Sequence, residues 1–332
     1  MSDKKFAVIG GGSWATAIVK MLTENLEEVG WYMRNVFVKE HIQNQGHNPN
    51  YLSAVEFRPE QLRLTNDINE AVRRADVLVF AIPSAFLLAE LEKLQEPLQD
   101  KIIFSAIKGI VPETGLIVGE HFHKEYGIPY ENIGVITGPC HAEEVALERL
   151  SYLTIACADE KKARMVARNL SSDYIKTKIS DDIIGTEYAA VLKNIYAIAA
   201  GIAHGLGYGD NFQSVLMSNA IREMRRFIKR VHRMKRNITN SAYLGDLLVT
   251  GYSVFSRNRM FGNMIGKGYT VKSAMMEMSM VAEGYYAAKS ARLLNEKNEK
   301  KIRTPIIDAV YNILYEGKDP KKVFKKLSEK LD

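Results

Sequence analysis

The chain carries only two cysteines, Cys140 and Cys157, in 332 residues, and neither sits in a Cys-x-x-Cys or Cys/His cluster. This excludes a disulfide framework and offers no zinc site. The seven histidines are scattered, so no metal centre is expected. No apolar run reaches about 18 residues without a charge, which argues against a membrane span. The opening residues, MSDKKFAVIGGG, lack the basic region and long apolar stretch of a secretory signal. A reducing cytoplasm is the expected setting. There is no internal repeat, no low-complexity run and no linker rich in Pro, Gly or Ser.

What is present suits a globular protein of two domains: 46% of residues are hydrophobic and 25% charged, which leaves disorder without a case. The net charge of +6 slightly favours anionic small molecules and says little about nucleic acid. Phe6–Ile9 is a short apolar run that ends in Gly10-Gly11-Gly12 and leads into an amphipathic segment from Ser13 to Leu26. Strand, glycine turn and helix form the context in which Gly10, Gly12 and Ala15 read as a dinucleotide-binding turn. The pyrophosphate would meet free backbone N–H groups near Ser13 and Trp14. The second strand, 29–33, ends in Arg34-Asn35 where an acidic residue would select NADH by its ribose hydroxyl. A cation there suits a 2′-phosphate, so NADPH is favoured over NADH, although an exposed Arg at a strand end is also common.

Residues 41–63 read as a polar surface excursion before a helix at 68–74. Apolar runs at 76–82, 101–107, 133–137, 152–157 and 174–179 continue an alternating β/α series of seven or eight strands. The loops at Gly10, Pro83, Lys108 and Gly138 fall at strand carboxyl ends, where ligands bind in such sheets. After Asp181 the strand signal stops and helices follow. The expected fold is α/β: a Rossmann-type, doubly wound, mostly parallel sheet over residues 1–184, then an all-α substrate-binding domain over 185–332. Within the second part, 189–203 is apolar on nearly every face, as in a buried helix, yet contains Lys193-Asn194. A lysine in such surroundings pairs, or titrates toward neutral pH as an acid–base group, or carries its ammonium out to the surface on a packed stem. The segment 222–236 places Arg222, Arg225, Arg226, Lys229, Arg230 and Arg233 on one helical face. A solvated face explains it better than a nucleic-acid surface.

Taken in order, GGGSWATA, FAIPSAF, IKG, GPCHAEEVA, LKNIYAIAAGIAHGLGYGDN, LGDLLVT, SRNRMFG and AEGYYAAK span nearly the whole chain. The set resembles the NAD(P)-dependent glycerol-3-phosphate dehydrogenases. That resemblance implies Lys193 as the general acid/base, Asp246 as the carboxylate that orients it, and Lys108 as the lysine that polarises the substrate and lies against the nicotinamide. It implies a phosphate clamp of Arg257 and Asn258, with Thr250, Ser256 and Asn194 as lesser contacts. Gly138 and Cys140 would line the substrate side. Phe86 and Ala142 would line the cofactor side, with Arg257, Val281 and Glu283 toward the nicotinamide. A homodimer, no nucleic-acid or membrane partner, and a role in supplying glycerol 3-phosphate for phospholipid synthesis also follow from it. The chain departs from the family pattern at Ala15, at Cys140-His141, at Gly251-Tyr252-Ser253 and at Asn219, where the family commonly has Arg. Two other readings remain open: a dehydrogenase of similar build acting on a 3-hydroxy acid, and a non-catalytic NAD(P)-binding regulator.

Overall fold

Four- to seven-residue segments, apolar in the middle of the sheet, build the first unit: β1 (Phe6–Ile9), β2 (Val29–Tyr32), β3 (Leu62–Thr65), β4 (Val77–Phe80), β5 (Ile102–Ser105), β6 (Ile133–Thr137), β7 (Ser151–Cys157) and β8 (Ile175–Ser180). The computed structural model describes residues 4–278 and 282–332. It contains two units, the first running to Ile107 and resuming over Val118–Ile183, the second made of Lys108–Ile117 and Ile184–Asp332. Residues 108–117, expected with the sheet, therefore belong with the helices.

The strand order is β3-β2-β1-β4-β5-β6-β7-β8, parallel throughout except for the antiparallel β6–β7 pair. β1, β4, β5 and β6 are buried along their whole length, as strands covered on both faces must be. Both edges carry cations: Arg63 is exposed on β3, and Lys176 and Lys178 lie on β8. Edge strands interrupted in this way resist pairing with another sheet. The same interruption hid β3, which lies at the end of what reads as a polar excursion. The helix Val36–Gln45 was hidden too. Its Val36 and Phe37 face solvent, and Asn35 caps it by accepting the N–H of Val38. The order of succession reverses at β1, with β2 and β3 on one side and β4 onward on the other, so the β1–β4 border is where a ligand crevice forms in a sheet of this order.

In the second unit, helix Ile183–Gly205 is the centre: every residue from Gly185 to Ala203 is buried. Its partner Arg257–Gly266 approaches to backbone contact. A Cβ on Gly201 would stand 2.0 Å from the carbonyl oxygen of Arg259, and one on Gly262 would stand 2.1 Å from that of Ile198. Glycines four apart on each helix, Gly201/Gly205 and Gly262/Gly266, make this approach reciprocal. Helix Asp210–Val231 buries Met224, Phe227 and Ile228 and exposes Arg222, Arg225, Arg226, Lys229 and Arg230, the solvated face expected. Arg222 pairs with Asp332. The same helix buries Glu223, whose two oxygens accept the N–H groups of Ile306 and Ile307 at 3.0 Å each. Burial pushes that carboxyl up to about 8 against the pull of those donors. The expected helix over 271–295 is two, Val271–Glu277 and Glu283–Lys297. No helix among the described residues is long and apolar enough to cross a membrane.

Gly201→Ala should lower stability by about 1–3 kcal/mol, because the obstacle is backbone and cannot turn aside. Gly209→Ala, at a helix start with nothing within 4 Å of its added Cβ, should cost under about 1 kcal/mol. Urea unfolding followed by far-ultraviolet circular dichroism compares the two; equal midpoints would refute the backbone contact.

Candidate active site

The buried helix delivers Lys193 to a position only 3% exposed, where its Nζ donates to Oδ1 of Asp246, itself fully buried. Asp246 is the first residue of helix Asp246–Tyr252, and the Thr250 hydroxyl donates back to its backbone carbonyl at 2.7 Å. Thr250, expected as a ligand contact, thus spends its proton within the helix. Burial lowers Lys193 to about 8, the largest effect; Asp246 opposes it, and the neighbouring Lys108 ammonium lowers it further. Lys108 is held from both sides. The Asn194 amide donates to its carbonyl at 2.8 Å. Beyond it, a bridge between Ile110 and Ile117 closes a loop whose two isoleucines lie in the helical core. A buried lysine–carboxylate pair with a second, half-buried lysine beside it is the condition under which one amine exchanges a proton near neutral pH.

A second feature stands at the start of helix Arg257–Gly266. Ser256 is its N-cap, its Oγ accepting the Arg259 N–H at 3.3 Å. Arg257 is half-buried at the first helical position, and no acceptor among the described residues engages its guanidinium. Asn258 is 9% exposed, and its Oδ1 accepts the Gly284 N–H at 2.9 Å. That bond fixes the amide, leaving its NH2 group as the end offered to a ligand. Gly284 in turn lies against the Lys193 helix, where a Cβ would meet the Asn194 carbonyl oxygen at 2.6 Å. A guanidinium, an amide NH2 and the first N–H groups of a ten-residue helix lie together here, donors of the kind that suit an anion. The backbone contacts place it beside Lys193.

In the first unit the glycine turn follows β1. Gly10 has φ of 141°, and a Cβ there would stand 2.4 Å from the Ala81 carbonyl oxygen, so the turn is open only to glycine. Trp31 Nε1 donates to the Gly10 carbonyl at 2.7 Å. Gly12 caps helix Ser13–Thr23, with Ser13 buried and Trp14 half-buried in its first turn. This cradle, which a side chain would fill, fits a dinucleotide pyrophosphate. Asn48 braces it. Fully buried, it donates to the Gly11 carbonyl at 3.2 Å and to Thr16 Oγ1 at 3.0 Å. Asn48 carries no local signal of this role, because HNPNY has the composition of any surface turn. Arg34 follows β2 and is 58% exposed; Phe86 is 38% exposed. Gly138, with φ of 125°, follows β6, and Ala142 opens helix Ala142–Ala146. Cys140 is buried in the core of this unit. Glu283 opens its helix half-buried, and Val281 lies outside the described residues. Asn219, in place of the family's usual Arg, donates to the carbonyls of Val215 and Asp332.

A doubly wound sheet with a glycine turn at its switch point, and a helical unit holding a buried lysine–carboxylate site, define a nicotinamide-dependent oxidoreductase. Models of NAD-dependent glycerol-3-phosphate dehydrogenase match residues 5–163 (N-terminus) and 182–325 (C-terminus). The glycerol-3-phosphate dehydrogenase (NAD(P)+) of Exiguobacterium sp. is 37% identical over 325 residues, covering 97% of this chain and 94% of that one. That of Listeria innocua is 36% identical over 96% of this chain and 94% of its own. The crystal structure of glycerol-3-phosphate dehydrogenase from Coxiella burnetii superposes with a TM-score of 0.90 at 28% identity, covering 98% of this chain and 99% of that chain. The chain belongs to the NAD-dependent glycerol-3-phosphate dehydrogenase family.

The charge environment of Lys193 sets opposite expectations for its two neighbours. Asp246→Asn removes the group that favours the ammonium, so Lys193 should titrate below about 8; Lys108→Met removes a like charge, so it should titrate above. Lysine side-chain NMR with 13Cε labelling, the Lys193→Met spectrum giving the assignment, reads both; shifts of the same sign would contradict the arrangement.

Proposed function

We propose that Lys193 carries the proton in the reversible reduction of dihydroxyacetone phosphate to sn-glycerol 3-phosphate. The observation that carries this reading is the Lys193–Asp246 pair, buried, with the Lys108 ammonium beside it. The nicotinamide cofactor, when bound, supplies the hydride to C2 of the ketone and recovers it in reverse. Lys193 gives its proton to the developing C2 alkoxide oxygen, and Asp246 holds the ammonium in place. Lys108 donates to the substrate oxygen and keeps the proton of Lys193 mobile. Arg257 and the Asn258 NH2 grip the phosphate, and that remote contact holds C2 for transfer. Gly10, Gly12, Ser13 and Trp14 receive the pyrophosphate. Arg34 receives a 2′-phosphate, so NADPH is used in preference to NADH. In the first unit Phe86 and Ala142 serve the cofactor and Gly138 and Cys140 the substrate; in the second Ser256 and Asn194 serve the substrate and Glu283 the cofactor. A cytoplasmic homodimer making glycerol 3-phosphate for phospholipid synthesis is the setting that suits this reading, and the basic helix face needs no nucleic-acid partner.

Lys193→Met keeps length and apolar volume and removes the proton. Turnover should fall about 10²–10⁴-fold, while NADPH binding by fluorescence titration stays near wild type. The sign of the pH dependence follows from a group at about 8. Ketone reduction needs the ammonium and should decline as pH rises through that value; alcohol oxidation needs the amine and should increase. Both inflections should vanish in Lys193→Met. A variant that binds cofactor and turns over within a few-fold of wild type would make the lysine structural.

Arg257→Ala should raise KM for dihydroxyacetone phosphate on the order of 10- to 100-fold. Unphosphorylated dihydroxyacetone should be a poor substrate for both forms. Preference of the wild-type enzyme for a keto acid would instead favour the carboxylate-binding alternative.

A further inference from the structure

A buried acidic group lies beside Arg34. Glu90, on the short helix Leu87–Leu91 after β4, is a carboxylate only 1% exposed, and it is surrounded by donors rather than by apolar side chains alone. The hydroxyl of Tyr32, the last residue of β2, donates to its Oε2. On Oε1 two cations meet: Arg34 Nε at 3.4 Å and Lys93 Nζ at 3.0 Å. A buried carboxylate requires partners of this kind. The two cations are exposed where it is not, Arg34 at 58% and Lys93 at 51%, so each turns its remaining donors to solvent. The Arg34 guanidinium is further set by the Phe86 ring, with Cζ 5.3 Å from the ring centroid. Its terminal nitrogens engage no acceptor among the described residues. One buried negative charge thus lies under two exposed positive ones just past the carboxyl end of β2, with the Asp67 carboxylate close enough to act on Tyr32 as well.

Two cations gathered on one oxygen cannot lie further apart than the sum of those two contacts, which is the span of a phosphate dianion's oxygens with its hydrogen bonds. Without the carboxylate, an arginine and a lysine brought this close would repel each other. We infer that Lys93 is a second specificity-determining cation of the enzyme, acting with Arg34 on the 2′-phosphate of NADPH, and that Glu90 is the positioning residue that holds the two together. The inference rests on the proposed role of Arg34. It adds a residue well separated from the strand end, in a segment that sequence patterning reads as an ordinary helix terminus.

The test compares Lys93→Gln, Arg34→Gln and wild type, each with NADPH and with NADH. Lys93→Gln should raise KM for NADPH about 5- to 20-fold while leaving KM for NADH and both kcat values within twofold. Inhibition by 2′,5′-ADP should weaken by the same factor and inhibition by 5′-AMP should not, the difference shrinking as salt rises. Tyr32 and Glu90 are retained, so folding is not at stake; Glu90→Gln, which loosens both cations, should weaken 2′,5′-ADP at least as much as Lys93→Gln does. If Arg34→Gln weakens NADPH selectively and Lys93→Gln does not, the second-cation inference fails and the Arg34 reading stands. If neither variant distinguishes the cofactors, both fail together.

Discussion

The structure depends on keeping a charged amine dry. Lys193 lies in a helix whose every residue from Gly185 to Ala203 is buried, and an unpaired ammonium there would be expelled or neutralised. Asp246 prevents expulsion. Lys108 prevents the pair from becoming an inert salt bridge, because a like charge weakens the hold on the proton. Close backbone packing maintains the balance: Gly201, Gly262 and Gly284 each bring a neighbouring helix to where a methyl group would not fit. The Asn194–Lys108 and Asn258–Gly284 hydrogen bonds form within the same close packing.

Other buried carboxylates in the chain hold structure by a related principle. Glu223 receives the first N–H groups of helix Pro305–Leu314, where an N-terminal helix dipole favours negative charge. Glu90 collects a phenol and two cations. The partners decide the outcome. Backbone donors anchor a helix, a second lysine beside the Lys193–Asp246 pair lowers its hold on the proton, and two exposed cations lie over Glu90.

Much of the candidate site was legible in the residues. An apolar helix interrupted by Lys193, and a glycine turn opening a helix after the first strand, both announce themselves through local pattern. The family resemblance, which the comparisons bear out, named the other groups. Less legible were residues whose role depends on a distant neighbour. Asn48, Glu90 and Glu223 sit in segments whose composition is that of ordinary turns and surface helices, and β3 hid behind its exposed Arg63. Local sequence cannot show which polar residues end up buried, since burial is decided by what packs over them.

Sequence alone determined the alternation of strands and helices, the turn that only glycine can make at Gly10, and the apolar face that buries Lys193, because each follows from backbone sterics or hydrophobic periodicity within a few residues. The tertiary structure alone decided that residues 108–117 join the helical unit and that the Thr250 hydroxyl is spent on a carbonyl. It also decided that Asn258 presents its NH2 end, and that the pull of Asp246 and the push of Lys108 leave Lys193 near 8. Those outcomes are sums of interactions between groups far apart in the chain, and a proton's affinity for a site is set by every charge and every missing water around it.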